Sequence, residues 1–300
     1  IYTSGTTGNP KGVPITHENL ANLVRAMADR IGFTKDNRLL ALTTLAFDIA
    51  ALEIFLPLVT GGTVVIADEA MTQDGEKIVA AIQRHRIDTV QGTPATWQLI
   101  HAAQKDFPAL RILCGGEAIP HELANSLVNS GAIVWNVYGP TETTIWSGAL
   151  QLTSELLTGA QVPVGGPLAN TTFHLLDSRN RPVPHGVAGE LCIGGAGLSP
   201  GYHGKPDLTK ERFVHIHETD TLVYRTGDQV LARADGNFEF LGRTDYQIKL
   251  RGYRIELPEI EAALQTHPAV KEAVAVLQNE GNPEARIVAA IIGQAETSDL

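Results

Sequence analysis

The eleven residues Tyr2-Thr3-Ser4-Gly5-Thr6-Thr7-Gly8-Asn9-Pro10-Lys11-Gly12 combine hydroxyl groups, glycines and a lysine. Glycines let backbone N–H groups close around an anion, hydroxyls add donors and the lysine adds charge, so this run reads as a polyphosphate cradle. The common nucleotide-binding pattern G-x-x-x-x-G-K-[ST] is not met, because Asn9-Pro10 separates Gly8 from Lys11 and Gly12 follows it. A P-loop ATPase is therefore disfavoured. A second cluster, Asn136-Val137-Tyr138-Gly139-Pro140-Thr141-Glu142-Thr143-Thr144, lies just past a predicted parallel strand, where open α/β sheets bind their ligands. Tyr224-Arg225-Thr226-Gly227-Asp228 and Gly242-Arg243-Thr244-Asp245 follow, and each alone is compatible with ordinary turn chemistry.

Other reactive side chains carry less. Cys114 and Cys192 sit inside apolar strand-like runs and read as buried free thiols. The histidines show neither H-x-x-x-H nor H-E-x-x-H spacing, which argues against zinc chemistry. The stretch 194–201 has glycines like those of a dinucleotide loop, but Pro200 stands where a helix should begin, so it reads as a strand-to-loop connection.

The elements that position these residues follow from periodicity. Leu20, Leu23, Val24, Met27 and Ile31 are at helical spacing and predict a helix over 17–31 with Thr16 as N-cap. Apolar runs at 38–44, 63–67, 88–91, 110–114 and 132–137 alternate with helical stretches near 49–59, 75–86, 95–104 and 121–129, which predicts a parallel sheet covered on both faces. Beyond about residue 150, short runs broken by Gly and Pro (TTFHLLD, GELCIGG, TLVYRTGD, QVLARADG, NFEFLGR) predict antiparallel strands, with a hairpin turn at 234–237. From Asp245 onward a strand, a helix over 257–267 and two strands resemble the start of a small α+β domain.

Composition sets the outer limits. The 300 residues are 43% hydrophobic and 19% charged, which excludes disordered and collagen-like classes and predicts one large domain or one and part of another. With 33 acidic and 23 basic side chains the net charge is −10 and there is no basic stripe, so nucleic acid is not an expected partner. No window approaches a membrane span and no secretory leader precedes Ile1, so the expectation is a soluble, cytoplasmic chain without a membrane partner, excerpted from something longer.

Taken in order, YTSGTTGNPKG, FDIAALEIFLPLVTGG, NVYGPTETT, GELCIGGAGLSPGY, YRTGD and GRTDYQIKLRGYRIELPEIE resemble the adenylate-forming superfamily. The match is closest to the amino-acid adenylation domains of nonribosomal peptide synthetases and runs from residue 2 to residue 261. The resemblance implies an α/β large domain over 1–243 with an antiparallel β-rich part, and a truncated α+β domain over 244–300. It implies ATP and Mg²⁺ as cofactors, with Thr3, Ser4, Gly5, Thr6, Thr7, Gly8 and Lys11 on the β- and γ-phosphates. Tyr138 would lie against adenine, Gly116 and Glu117 would border the base, and Asn136 and Gly139 would be among the nucleotide-binding residues. Thr141 would contact the α-phosphate, Glu142 would hold Mg²⁺, and Asp228 would take the ribose hydroxyls with Arg243 nearby. Lys11, Thr141 and Glu142 would carry the catalytic positioning and charge neutralisation, and Asp245 would be the hinge.

The resemblance also implies a substrate pocket. Asp48 would pair with the α-ammonium of an amino acid, and Ile49, Leu52, Gln91, Leu113, Gly115, Val137, Ile145 and Trp146 would form the wall. That wall looks like a glycine-type pocket, with alanine as the nearest competitor, since one methyl discriminates by only ~1–3 kcal/mol. The implied reaction is AMP-forming ligation of a small amino acid, followed by transfer to phosphopantetheine on a peptidyl carrier domain, with a condensation domain as a further partner. The alternatives are an acyl- or aryl-CoA ligase of the same superfamily, or an incompetent nucleotide-binding fragment. The family's catalytic lysine is expected in a segment beyond Leu300, and Lys249 is not expected to replace it.

Overall fold

The computed structural model describes residues 1–4, 10–159, 161–250, 252–279 and 285–294. Helix His17–Ile31 begins where Thr16 Oγ1 accepts from the Asn19 backbone N–H at 3.1 Å and Asn19 Oδ1 accepts from the Thr16 N–H at 3.0 Å. This reciprocal cap satisfies two N–H groups that a helix start otherwise leaves open.

The apolar runs form parallel strands in the spatial order Thr63–Ile66, Arg38–Ala41, Thr89–Gly92, Arg111–Gly115 and Ile133–Tyr138. Alternate residues of a strand face opposite sides. Leu39, Leu113 and Trp135 therefore enter one core with helices His17–Ile31 and Ile49–Thr60. Leu40, Ile112 and Val134 enter the other with helices Gly75–His85, Pro94–Ala103 and His121–Asn129. Each such side chain contributes ~1.5–3 kcal/mol on burial, so the sheet is held from both faces. The five expected strands are parallel, and a sixth that the sequence reading did not separate, Gly148–Gln151, pairs antiparallel with Ile133–Tyr138 at one edge. Only a short turn joins these two strands, too short for the crossover a parallel neighbour needs.

The second sheet is antiparallel, in the order Phe213–His215, Leu222–Ala232, Gly189–Gly195 and Thr171–Leu176, with Phe238–Arg243 also on Leu222–Ala232. Two runs expected as separate strands are one eleven-residue strand, Leu222–Ala232. The apparent break is a bulge: the register on Gly189–Gly195 jumps from Arg225 to Gln229, and Gly227 takes a φ of +80° there. A further strand that the sequence reading did not separate, Tyr253–Glu256, pairs with Gln247–Leu250 through a turn containing Gly252 at φ +82°. Helix Leu257–Gln265 and the pair Val270–Gln278 and Arg286–Gly293 follow. Both cysteines are buried and free, as expected. Among the described residues no helix is long and apolar enough to cross a membrane.

Candidate functional site

A cleft opens at the carboxyl ends of the parallel strands, where Phe47, Asp48, Ile49, Gly116 and the Gly139–Thr141 turn meet Ile145 and Trp146. Its other wall is Thr226, Asp228 and Arg243 of the antiparallel sheet, with Gln247, Lys249, Gly252 and Arg254 of the following hairpin. This is the topological position at which an open α/β sheet presents helix and strand ends to a ligand.

Asp48 precedes helix Ile49–Thr60 and makes no side-chain cap on it. Its Oδ2 accepts from the Thr141 hydroxyl at 2.5 Å, joining two strand ends. Burial pushes its carboxyl above the usual range, against the Thr141 hydroxyl, the Ile49 N–H and the charge of Lys249. No cation stands within ion-pair reach of it among the described residues. Burial in turn lowers Lys249, whose ammonium lies 6.0 Å from the Tyr138 ring centroid.

On the opposite wall Asp228 accepts from the Tyr138 hydroxyl and from the Arg243 guanidinium, its cross-strand partner. Arg243 continues to Asp245 through Nε at 2.7 Å and Nη2 at 2.9 Å. The chain Tyr138–Asp228–Arg243–Asp245 thus orients one carboxylate beside the cleft.

Glu142 is fully buried. Its Oε1 accepts from the Tyr202 hydroxyl at 2.7 Å and its Oε2 from Arg254 Nη1 at 2.7 Å. Burial opposes its charge, but Arg254, Lys11 and Tyr202 more than offset this and hold the carboxyl at about 2. Lys11 lies 3.7 Å from Glu256 and over the Tyr202 ring. Ser4 Oγ donates to the Arg254 carbonyl at 2.7 Å. The Thr3 hydroxyl is buried without a hydrogen-bond partner among the described residues, a donor that an anion would satisfy.

The backbone of the turn that carries the cleft wall is strained. Thr144 and Ile145 are consecutive residues at φ +65° and +66°, a region that a β-branched side chain avoids. The Thr144 hydroxyl donates to the Gly197 carbonyl at 2.7 Å and the Ser147 N–H to the Tyr138 carbonyl at 2.7 Å, which hold the turn closed. Such strain costs about 1–3 kcal/mol per residue and persists where surrounding contacts over-determine it. Here it aims Ile145 and Trp146 at the cleft.

Of the residues expected at the site, Asp48, Ile49, Gly116, Gly139, Thr141, Ile145, Trp146, Asp228 and Arg243 line one cleft. Leu52, Gln91, Leu113, Gly115 and Val137 are buried behind its wall. Glu117 is half-buried beside Gly116, while Asn136 is buried and donates to the Pro163 carbonyl at 2.9 Å. Lys11 and Glu142 are engaged by Glu256 and Arg254. Gly5, Thr6, Thr7 and Gly8 lie outside the described residues. The sequence reading assigned no cleft role to Phe47, Thr226, Gln247, Gly252 or Arg254. Arg254, in the quoted GYRIE run, was the most legible of these, as a cation inside an alternating strand.

Gly115 is required by close approach. A Cβ there would lie 2.3 Å from the Val137 carbonyl oxygen and 2.9 Å from the Trp146 ring. Gly115→Ala is therefore expected to force apart the Arg111–Gly115 and Ile133–Tyr138 pairing and to destabilise by ~1–3 kcal/mol in urea unfolding. An unchanged midpoint would show that the strands have slack.

A mixed sheet with its cleft at the strand ends, closed by an antiparallel sheet that brings in Asp228 and Arg243, defines an α/β protein with its ligand site at the carboxyl edge of the parallel strands. Residues 1–203 match the AMP-binding enzyme family, and the chain belongs to that family. It is 44% identical, over its whole length, to the dimodular nonribosomal peptide synthase of Bacillus subtilis (strain 168), of which it spans 13%. A holo four-domain nonribosomal peptide synthetase bound to AMP and glycine is similar over 100% of this chain and 22% of its own, at 41% identity and a TM-score of 0.76. A nonribosomal protein containing adenylation and carrier domains, bound to a vinylsulfonamide inhibitor, aligns with 98% of this chain and 52% of its own, at 28% identity and a TM-score of 0.88. The chain thus spans a small part of the curated relatives it matches, and its resemblance to an adenylation domain of the adenylate-forming superfamily is borne out.

Proposed function

We propose that this segment activates a small amino acid, glycine above alanine, as an aminoacyl-adenylate with release of pyrophosphate, for transfer to a carrier-domain thiol. The observation that carries the reading is Asp48: a cleft carboxylate oriented by Thr141, raised by burial, with no ion-pair partner among the described residues. A substrate ammonium supplies the missing charge, whereas an acyl substrate leaves a buried carboxylate uncompensated, at a cost of several kcal/mol. Ile145 and Trp146 then close the space available to a side chain. The glycine and AMP bound by the similar four-domain synthetase support the same choice.

The residues fit ATP in part. The oriented Asp228 carboxylate suits a ribose diol, Gly116 lines the cleft without a side chain, and the orphaned Thr3 hydroxyl suits a phosphate oxygen. ATP would supply the electrophilic α-phosphorus, on which the substrate carboxylate oxygen forms a bond as pyrophosphate leaves. The chain's own work is to orient the substrate through Asp48 and the nucleotide through Asp228 and Thr141, so catalysis rests on positioning and charge. Magnesium fits less well: both Glu142 oxygens are engaged, and among the described residues no cluster of three or more His, Cys, Asp or Glu could hold a metal.

The same reading places the division between two domains at 243/244, with Asp245 as the hinge. The test is amino-acid-dependent ATP–pyrophosphate exchange by the full-length polypeptide carrying this segment. Exchange with glycine is expected. Failure with both glycine and alanine, together with exchange supported by a carboxylate lacking an amine, would overturn it.

A further inference from the structure

Helix Ile49–Thr60 is apolar except for its acid and terminal threonine, yet Glu53 lies in its middle with its side chain fully buried. Glu53 Oε2 accepts from the Thr43 N–H at 2.9 Å, and Oε1 accepts from the Thr43 hydroxyl at 2.6 Å and from Gln91 Nε2 at 3.1 Å. No cation pairs with it among the described residues. A carboxyl group buried this way is held by donors alone, and such a group is costly unless its bonds are all made.

Gln91 transmits this arrangement. Its Nε2 also donates to the Ile49 carbonyl at 3.1 Å, and its Oε1 accepts from the Trp146 indole Nε1–H at 2.8 Å. An amide has one donor end and one acceptor end. Turning it over would set its oxygen against the Glu53 carboxylate and the Ile49 carbonyl, and its nitrogen against an indole that can only donate. Glu53 and Trp146 thus fix the same flip state from opposite ends. Trp146 lines the cleft, and its ring packs against the Arg111–Gly115 strand in the space that a Cβ on Gly115 would enter.

We propose that Glu53, which does not itself reach the cleft, is a positioning residue that sets the size of the substrate pocket by locking Gln91, and through it the Trp146 indole, in one orientation. The proposal rests on the amino-acid-activating function above and adds the residue that enforces its preference for the smallest side chain. Without the Glu53 acceptor, the Gln91 Nε2 keeps only the Ile49 carbonyl, the amide and the indole bonded to its oxygen can tilt, and the pocket admits an extra methyl.

The test compares E53M, which keeps volume but offers no acceptor, with E53Q. In E53Q the side-chain oxygen still accepts from Gln91 and the Thr43 hydroxyl while the amide nitrogen meets the Thr43 N–H, at a cost in stability but not in the Gln91 contact. The glycine-over-alanine ratio of kcat/KM in pyrophosphate exchange is expected to fall roughly tenfold in E53M, through a lower KM for alanine, and to stay near wild type in E53Q. A general folding defect would lower both substrates together and leave the ratio alone. The indole ¹⁵N–¹H resonance of Trp146, assigned with W146F, is expected to move in E53M and not in E53Q. If E53M does not fold, T43V removes one donor to the carboxylate, and a smaller fall in the ratio with the same sign is expected. An unchanged ratio and an unmoved resonance overturn the proposal while exchange itself continues. If wild type shows no amino-acid exchange, the functional reading fails, and the resonance alone then decides whether Glu53 positions Trp146.

Discussion

Asp48→Ala is expected to lower kcat/KM for glycine-dependent pyrophosphate exchange by about 10²–10³-fold, since losing one partner of a buried charge pair costs ~3–5 kcal/mol and each ~1.4 kcal/mol is tenfold. Stability is expected to hold or rise, because burial disfavours this carboxylate by more than its bonds to Thr141 and the Ile49 N–H favour it. Asp48→Asn separates charge from hydrogen bonding: it can still accept from Thr141 but carries no charge, so it should behave like the alanine variant. Undiminished exchange in Asp48→Asn would remove the ammonium role.

The second large effect concerns stability. Glu142→Gln leaves Arg254 without its counter-ion, and breaking one side of such a buried pair destabilises by ~3–5 kcal/mol. The double replacement E142Q/R254M should recover much of that loss, because no charge then remains unpaired. The pH dependence has a definite sign. The Glu142 carboxyl is depressed from 4.5 to about 2, so its contribution is complete above 4.5 and is lost as pH falls through about 2. Urea midpoints at pH 7 and pH 3 should therefore differ more in wild type than in E142Q. A single-variant loss below about 1 kcal/mol would show that solvent already shields the pair.

The same pair shows why part of the site was not legible in the sequence. The parallel strands were readable because residues buried on both faces give near-continuous apolar runs, and Thr16 was readable because capping is local. The cleft residues Asp48, Thr141, Asp228 and Arg243 were found through ordered motifs. Glu142 also lies in a motif, but its partner Arg254 is 112 residues away, and no local pattern records that contact. Glu53 carried a signal that was not used, a lone acid in the apolar run IAALEIFLPLV. Gly227 misled the reading in the opposite direction: glycine ordinarily marks a strand end, whereas here it forms a bulge inside one long strand.

The cleft draws on Asp48 near one end of the chain and Arg254 near the other, with the intervening walls added in sequence order. A ribosome working at about 5–20 residues per second needs roughly 10–40 seconds to lay down the chain between those two residues. Over the last 112 residues of that interval, roughly 6–22 seconds, the Glu142 carboxylate has been made and the guanidinium that will neutralise it has not. Completion of this cleft is therefore timed by synthesis, and a nascent chain stalled before the hairpin would expose an uncompensated acid where the finished protein has a sealed ion pair.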